Sequence, residues 1–291
     1  MKIELAKKEN IHFVGVGGIG MSGLALIMKG MGFKIQGSDI SNNKNIERLK
    51  KNKIKISIGH SKKNINKATI LVISSAIKKN NPEVLEAKIK NLPIYKRGDM
   101  LAHITSLTQN VVVAGSHGKT TTTSLISGIF AKAKLDPTII NGGVINSLQS
   151  SAKLGKSKWC VLESDESDGS FIKVPPTYSI VTNVDREHMD FYKSYTNFKN
   201  KIKKYILSQS KKNVKIFINN DDHFLSSLKK YSENIKTFGS NTKADFSYKL
   251  VKLTHKKSFF NFLKGKKTLS KSISTNLLGE HNVLNLTAVL S

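Results

Sequence analysis

Short apolar runs of four to six residues alternate along this chain with longer stretches whose apolar residues recur every three or four positions. In the first third, the runs predict strands at 11–16, 33–37, 54–58, 69–74 and 92–95. Between them, helices are predicted at 19–31, 45–52 and 82–90, the last with Pro82 at its start. This order predicts an α/β fold, a parallel sheet with helices on both faces. Residues 98–106 lead into a new strand at 111–114, which puts a domain boundary near 107. The second unit opens the same way, with strand, glycine loop and then a helix at 119–134 whose apolar positions are Leu125, Ile126, Ile129 and Phe130. Strands are predicted at 138–141, 159–163, 178–182 and 214–219, with a helix at 195–209. From 244 to 275 the period becomes two, as at Phe246, Tyr248 and Leu250, which predicts antiparallel strands added to the edge of this domain. Residues 279–291 read as the beginning of a helix.

Composition changes this picture in four ways. No run of about 18 apolar residues is present, so no membrane-spanning helix is predicted. The basic N-terminus precedes an apolar stretch, but glycines interrupt that stretch and no cleavage site follows, so a cytoplasmic protein is expected rather than a secreted one. The single cysteine, Cys160, excludes an internal disulfide and, lying in an apolar run, is expected to be a buried structural thiol. Net charge is +28, which raises nucleic-acid binding as a reading. Lysine far outnumbers arginine and no basic–aromatic alternation is present. A lysine-rich solvated surface, not a nucleic-acid interface, is therefore expected, and its field favours an anionic substrate.

Two glycine loops carry candidate chemistry. Gly15, Gly17, Gly18 and Gly20 form the first, G-x-G-x-x-G after a strand and before a helix. Such glycines let the backbone turn tightly and approach a pyrophosphate at the helix N-terminus, as in a Rossmann-like domain. Asp39 follows Gly20 by 19 residues, where an acid binds a ribose hydroxyl. This loop alone reads as a nucleotide or dinucleotide site. The second loop is Gly115-Ser116-His117-Gly118-Lys119-Thr120-Thr121. It departs from the common phosphate-binding loop because Val113 stands where the first glycine would be. What remains still aims backbone N–H groups and a helix dipole at phosphates, with Lys119 for the β- and γ-oxygens and the Thr120 hydroxyl for Mg²⁺.

An acidic island opposes the basic bias. Residues 163–190 contain Glu163, Asp165, Glu166, Asp168, Asp185, Glu187 and Asp190, seven of the chain's 20 acids, offset only by Lys173 and Arg186. These acids follow predicted parallel strands at their C-terminal ends, the edge at which α/β sheets bind ligands. Glu163, ending its strand, is placed to complete the metal site begun by Thr120. His188 offers a ring nitrogen to a second cation. Asp165 and Glu166 fit a solvated turn as readily as a metal site.

Taken together, these stretches resemble the Mur ligase family. The resemblance is carried by residues 12–25, Gly37-Ser38-Asp39, 74–77, 115–123, Asp136-Pro137-Thr138, Asn141-Gly142-Gly143, 163–168, Thr182-Asn183, His188-Met189-Asp190, and Gly279-Glu280-His281-Asn282 with Asn285, in the family's order. It is closest to the members that join L-alanine to UDP-N-acetylmuramate with ATP and Mg²⁺, through an acyl phosphate, in peptidoglycan precursor synthesis. It implies a Rossmann-like UDP-sugar-binding domain at 1–107 and a central ATP-binding domain at 108–291. Gly15, Gly17, Gly18, Gly20, Asp39 and Ser74 would then face the UDP sugar rather than NAD. Residues 115–121 with Asn282 and Asn285 would face ATP. Lys119, Glu163 and His188 would be catalytic, and Thr120, Glu163 and His188 would form the metal site. The chain stops at Ser291, so the family's C-terminal domain is expected to be absent, and the 291 residues are expected to bind nucleotide and ligate poorly. A carbamylated lysine occurs in some relatives, but none of Lys199, Lys201 and Lys203 aligns to that role. The alternatives are a ligase that adds a peptide to the same sugar, a non-catalytic nucleotide- or nucleic-acid-binding remnant, and an NAD dehydrogenase.

Overall fold

The computed structural model describes residues 5–6, 8–145, 150–164 and 170–291. Asp165, Glu166 and Asp168 of the acidic island lie outside the described residues. Two compact units are present. The first holds residues 1–108, 136–160 and 173–175, and the second holds 109–135, 161–172 and 176–291.

In the first unit, the order is β1 (Asn10–Val14), α1 (Ile19–Gly30), β2 (Lys34–Asp39), α2 (Lys44–Lys51), β3 (Lys55–Ile58), a 3₁₀ turn at Lys62–Ile65, β4 (Ile70–Ile73), α3 (Pro82–Ile89), β5 (Ile94–Lys96) and α4 (Arg97–Thr105). The strands lie in the order β3-β2-β1-β4-β5, all parallel. Strand order reverses between β1 and β4, and ligands of open α/β sheets bind outside the strand ends at such a point. Ile11, Phe13, Val14, Leu24 and Met28 are buried at the core. The apolar runs read correctly as strands because both faces of a parallel sheet are covered. Asn43 caps α2 by accepting from Asn45 N–H and Ile46 N–H, and Asn81 caps α3 ahead of Pro82.

Glu83 opens α3 fully buried. Its carboxylate accepts the Ser38 hydroxyl at 2.6 Å, the Asn64 amide at 2.6 Å and the Ser61 N–H at 3.3 Å. His12 Nε2 stands 3.3 Å from it, and His12 Nδ1 faces Gln36 Nε2 at 3.2 Å. Burial alone would raise this carboxyl; the hydrogen bonds from His12, Ser38 and Asn64 outweigh it and hold the group at about 2, below the ordinary 4.5.

The chain then forms β6 (Gln109–Ala114) and α5 (Lys119–Lys132) of the second unit before β7 (Thr138–Ile145) and β8 (Ser150–Lys153) return to the first. These two pair as an antiparallel hairpin that packs on α1. Two glycines on one face of α1 permit this. A Cβ on Gly23 would meet that of Ala152 at 3.0 Å, and one on Gly30 would meet Leu154 at 2.8 Å. β9 (Trp159–Glu163) follows, and Cys160 within it is buried, its thiol pushed up to about 12 by burial.

The rest of the second unit is β10 (Tyr178–Val181), α6 (Met189–Tyr192), α7 (Tyr195–Ser210), β11 (Lys215–Asn219), α8 (His223–Ser226), β12 (Ile235–Gly239), β13 (Phe246–Leu253), β14 (Ser258–Lys264), β15 (Lys267–Thr275) and α9 (Glu280–Leu290). Its sheet runs β15-β14-β13-β12-β11-β10-β6, parallel from β6 to β13 and antiparallel over β13, β14 and β15. The period-two segment is thus an antiparallel extension of the sheet, as its alternation predicts. Sequence reading missed α4, β8 and β12, and it missed α6 and α8, which at four residues each are too short to establish a helical period. Phe198, Ile202, Tyr205 and Ile206 of α7 bury one face against Ile216 and Ile218. The Tyr205 hydroxyl, fully enclosed, finds Ser179 Oγ at 3.0 Å. Val283 and Leu286 of α9 pack on Tyr248, Phe260 and Phe262. Among the described residues, no helix is long and apolar enough to cross a membrane.

Because Glu83 titrates below its unfolded value, its stabilisation is complete above pH 4.5 and is lost as pH falls towards 2. A shift of this size corresponds to about 3 kcal/mol. Urea unfolding at pH 7 should find Glu83→Gln less stable than the parent by about 3 kcal/mol. The gap should shrink as pH falls below 4.5; a gap independent of pH would contradict this account.

Candidate functional site

The first glycine loop leaves the C-terminal end of β1. Gly15 turns at φ +79°, and the N–H groups of Gly15 and Val16 both donate to Ser38 O, at 2.9 and 3.0 Å. The Gly17 N–H donates to Asp39 Oδ2 at 2.7 Å, while Asn43 and Asn45 amides donate to Gly17 O. A Cβ on Gly17 would meet Asp39 Oδ2 at 2.9 Å, so the position cannot carry a side chain without displacing that clasp. A Cβ on Gly15 would meet that of Ser74 at 3.2 Å, across from the end of β4. Gly15, Gly17, Asp39 and Ser74 are therefore gathered at the point where strand order reverses. Gly18 is exposed beside them, and a Cβ there would have no neighbour nearer than 4.0 Å. Gly20 lies in the first turn of α1. Sequence reasoning missed Arg97. Its guanidinium lies against Gly20, where a Cβ would stand 3.0 Å from Nη1, and puts a positive charge at the N-terminus of α1. No motif marked it, because it is brought there from α4 by the fold.

The second loop joins β6 to α5, and its shape is set by residues at the end of β10. Gly115 sits at φ +118°, and a Cβ there would collide with Thr182 Oγ1. Ser116 N–H donates to Asn183 O at 2.9 Å. His117 is held on both sides, its N–H donating to Asn183 Oδ1 at 2.8 Å and its carbonyl accepting from Thr182 Oγ1 at 2.6 Å and Asn183 Nδ2 at 3.1 Å. The Ser116 hydroxyl accepts the Asp185 N–H at 2.8 Å. Val184 N–H is taken by Asp222 Oδ2 and Val184 O by the Tyr195 hydroxyl, so the clasp is itself braced from α7 and the start of α8. Of these, Asp222 and Tyr195 lay outside the sequence reading, since neither is near the loop in sequence.

Within this frame Lys119 folds back over the loop, its ammonium donating to Gly115 O at 2.5 Å and Ser116 O at 2.9 Å. Thr120, exposed in the first turn of α5, donates its hydroxyl to Glu163 Oε2 at 2.8 Å. Thr121 follows, half-buried. From α9, Asn285 lies against the loop, where a Cβ on Gly118 would stand 2.6 Å from its Oδ1. Asn282, one turn earlier, has its Oδ1 3.5 Å from Asn285 Nδ2 and donates to Leu278 O. The His117 ring is set between two acids, with Asp185 Oδ2 and Glu187 Oε1 each 3.4 Å away. The Asp185 carboxyl is held below its ordinary value, first by the Arg186 N–H and then by His117. His188 opens α6 at φ +55°, a left-handed backbone that side chains seldom adopt.

Two hard oxygen donors, Thr120 Oγ1 and Glu163 Oε2, thus meet in front of the loop. That is the set Mg²⁺ takes when it keeps several waters and borrows substrate phosphates. Among the described residues, no group of three or more His, Cys, Asp and Glu side chains is gathered to hold a metal. Lys199 is used differently, its ammonium lying over the Tyr195 ring at 4.6 Å, and Lys203 lies over Tyr231 at 5.2 Å.

Asn183 should therefore matter to the loop more than to the fold. Calorimetric titration of Asn183→Ala with ATP should give about tenfold weaker binding, the loss of two hydrogen bonds to the His117 backbone. Unaltered affinity would refute the clasp.

Comparison with known proteins identifies the family. Residues 10–109 match the Mur ligase family, catalytic domain, and residues 113–291 match the Mur ligase middle domain. The UDP-N-acetylmuramate–L-alanine ligase of Pelagibacter ubique is 62% identical over all of this chain and 64% of its own length. The ligase of the same description from Aquifex aeolicus is 43% identical over 96% of this chain and 62% of its own length. Among solved structures, the UDP-N-acetylmuramate–alanine ligase of Thermotoga maritima matches with a TM-score of 0.85 at 28% identity, covering 97% of this chain and 64% of that one. The UDP-N-acetylmuramate:L-alanyl-γ-D-glutamyl-meso-diaminopimelate ligase of Neisseria meningitides shares the fold, with a TM-score of 0.86 at 24% identity over 97% of this chain and 92% of that one. The chain spans less than two thirds of the length of the curated relatives described above. With both of its halves matched in order, and with two phosphate-type loops built as described, the chain belongs to the Mur ligase family.

Proposed function

We propose that this chain carries the UDP-sugar and ATP sites of a ligase that joins L-alanine to UDP-N-acetylmuramate in the cytoplasm. The observation that carries the ATP half is the pairing of Thr120 Oγ1 with Glu163 Oε2 at 2.8 Å, beside an ammonium that caps the loop carbonyls. Residues 108–291 hold ATP, with N–H groups of 115–121 around the phosphates and Asn282 and Asn285 on the nucleotide side. Residues 1–107 hold the UDP sugar at Gly15, Gly17, Gly18, Gly20, Asp39 and Ser74. The names of the relatives at 62% and 43% identity support alanine as the amino acid, over a peptide.

Joining a carboxylate to an amine needs the carboxylate activated, because its own oxygen is too poor a leaving group. The lactyl carboxylate of the sugar attacks the γ-phosphorus of ATP, and the bond to the β–γ bridging oxygen breaks to release ADP. The alanine amine then adds to the acyl phosphate carbonyl, loses a proton, and expels inorganic phosphate. Lys119 leaves its loop carbonyls for the β- and γ-oxygens, where negative charge spreads during transfer. Thr120 and Glu163 would hold Mg²⁺, which would supply positive charge against the phosphate charge that develops; His188 is proposed near the same site. Most of the acceleration comes from holding carboxylate and γ-phosphate in line, since the transfer asks little covalent chemistry of the protein.

ADP release tests this reading. Its rate from these 291 residues should be low, yet it should require UDP-N-acetylmuramate, increase with L-alanine, and fall by at least about a hundredfold in Lys119→Ala. Release that ignores the sugar nucleotide would defeat the proposal, as would saturable NADH binding at the first loop.

A further inference from the structure

The first unit contains a second polar cleft to which neither glycine loop contributes. His12, Gln36 and Lys55 lie in one register row across β1, β2 and β3, and Ser57 is two residues further along β3 on the same face. Together with Lys63 and Lys67 from the 3₁₀ turn and the residues after it, they line a cleft of about 270 Å³. Its floor is fixed. His12 is 1% exposed, with one ring nitrogen against Gln36 and the other against Glu83. The Glu83 carboxylate is turned into Ser38, Asn64 and Ser61, so its negative charge is taken up by those donors and not by the lysines.

Lys55, Lys63 and Lys67 have no carboxylate within ion-pair distance among the described residues. Three ammonium groups around one concave surface repel each other, and a bound anion would relieve that repulsion. The donors also define its chemistry. Guanidinium forks, which bind carboxylates and phosphates bidentately, are missing from the lining, so an anion there meets only single donors. Separate ammonium point charges and the Ser57 hydroxyl suit an anion that presents three or more oxygens in different directions, which is a phosphate. The volume exceeds that of one phosphate and falls just below the range of drug-sized pockets.

We propose that this cleft is a binding site for a small phosphate-bearing anion, either pyrophosphate or a compact phosphate monoester, separate from both loop sites. The row of His12, Gln36 and Lys55 lies two residues before Ser38 and three before Asp39, which hold the glycine loop, yet no residue of that loop lines the cleft.

The test is calorimetric titration of the chain with pyrophosphate, and separately with glycerol phosphate, at fixed ionic strength. It is done in a Lys119→Ala background so that the second loop does not contribute. Saturable binding should persist in that background and weaken by at least about tenfold in Lys55→Ala/Lys63→Ala/Lys67→Ala. It should be unchanged in Lys62→Ala, which removes an exposed lysine outside the cleft. All three cleft lysines are exposed, and the unliganded thermal midpoint of the triple variant should match that of its parent. Which of the two compounds binds tells pyrophosphate from monoester. The proposal is overturned if Lys119→Ala alone abolishes binding, if Lys62→Ala weakens it as much as Lys63→Ala does, or if neither compound saturates.

Discussion

Everything proposed for the second unit depends on how two side chains at the end of β10 hold a loop that begins at the end of β6. Four consecutive residues, Gly115 to Gly118, expose backbone polar groups that neither strand nor helix can satisfy. Thr182 and Asn183 take up several of these from the side, and the approach is so close that Gly115 has no room for a side chain. β6 and β10 are neighbours in a parallel sheet, so both chain ends emerge on the same edge. The clasp is thus a consequence of strand order.

Once the loop is fixed, the rest follows over short distances. α5 starts where the loop ends, and the N-terminus of a helix is a ready anion site. Lys119 is spaced to cap the loop from inside the first turn, and Thr120 from the same turn meets Glu163 from the end of β9. Gly118 is bare, and that lets α9 bring Asn285 against the loop. The antiparallel strands β13 and β14 give α9 the apolar surface on which Val283 and Leu286 are buried. What periodicity showed only as an added sheet edge therefore supports the helix that sets Asn285 against the loop.

The legible parts of this fold were those encoded locally. Strands such as β1, β4 and β6 are buried on both faces and read as continuous apolar runs. Both glycine loops were readable because their geometry demands glycine at fixed spacing. Glu163 was readable because it carries charge against the chain's bias at the end of a strand. What could not be read was long-range partnership. Arg97 reaches Gly20 only after four strands have been ordered between them. Gly23 and Gly30 gave no sign that a hairpin from residues 138–153 would lie across them. Tyr195 and Asp222 act on the loop through Val184, and nothing in their local sequence marks this. The buried His12–Glu83 pair joins β1 to α3 across 71 positions, and His12 had appeared only as the start of a motif.

The central claim is that the Thr120–Glu163 pair is the protein's share of a magnesium site on ATP. The most direct measurement is the ATP affinity of the chain with and without Mg²⁺, in the parent and in Glu163→Gln. The account predicts that Mg²⁺ tightens binding by about tenfold or more in the parent and hardly at all in the variant. An equal magnesium effect in both would contradict it.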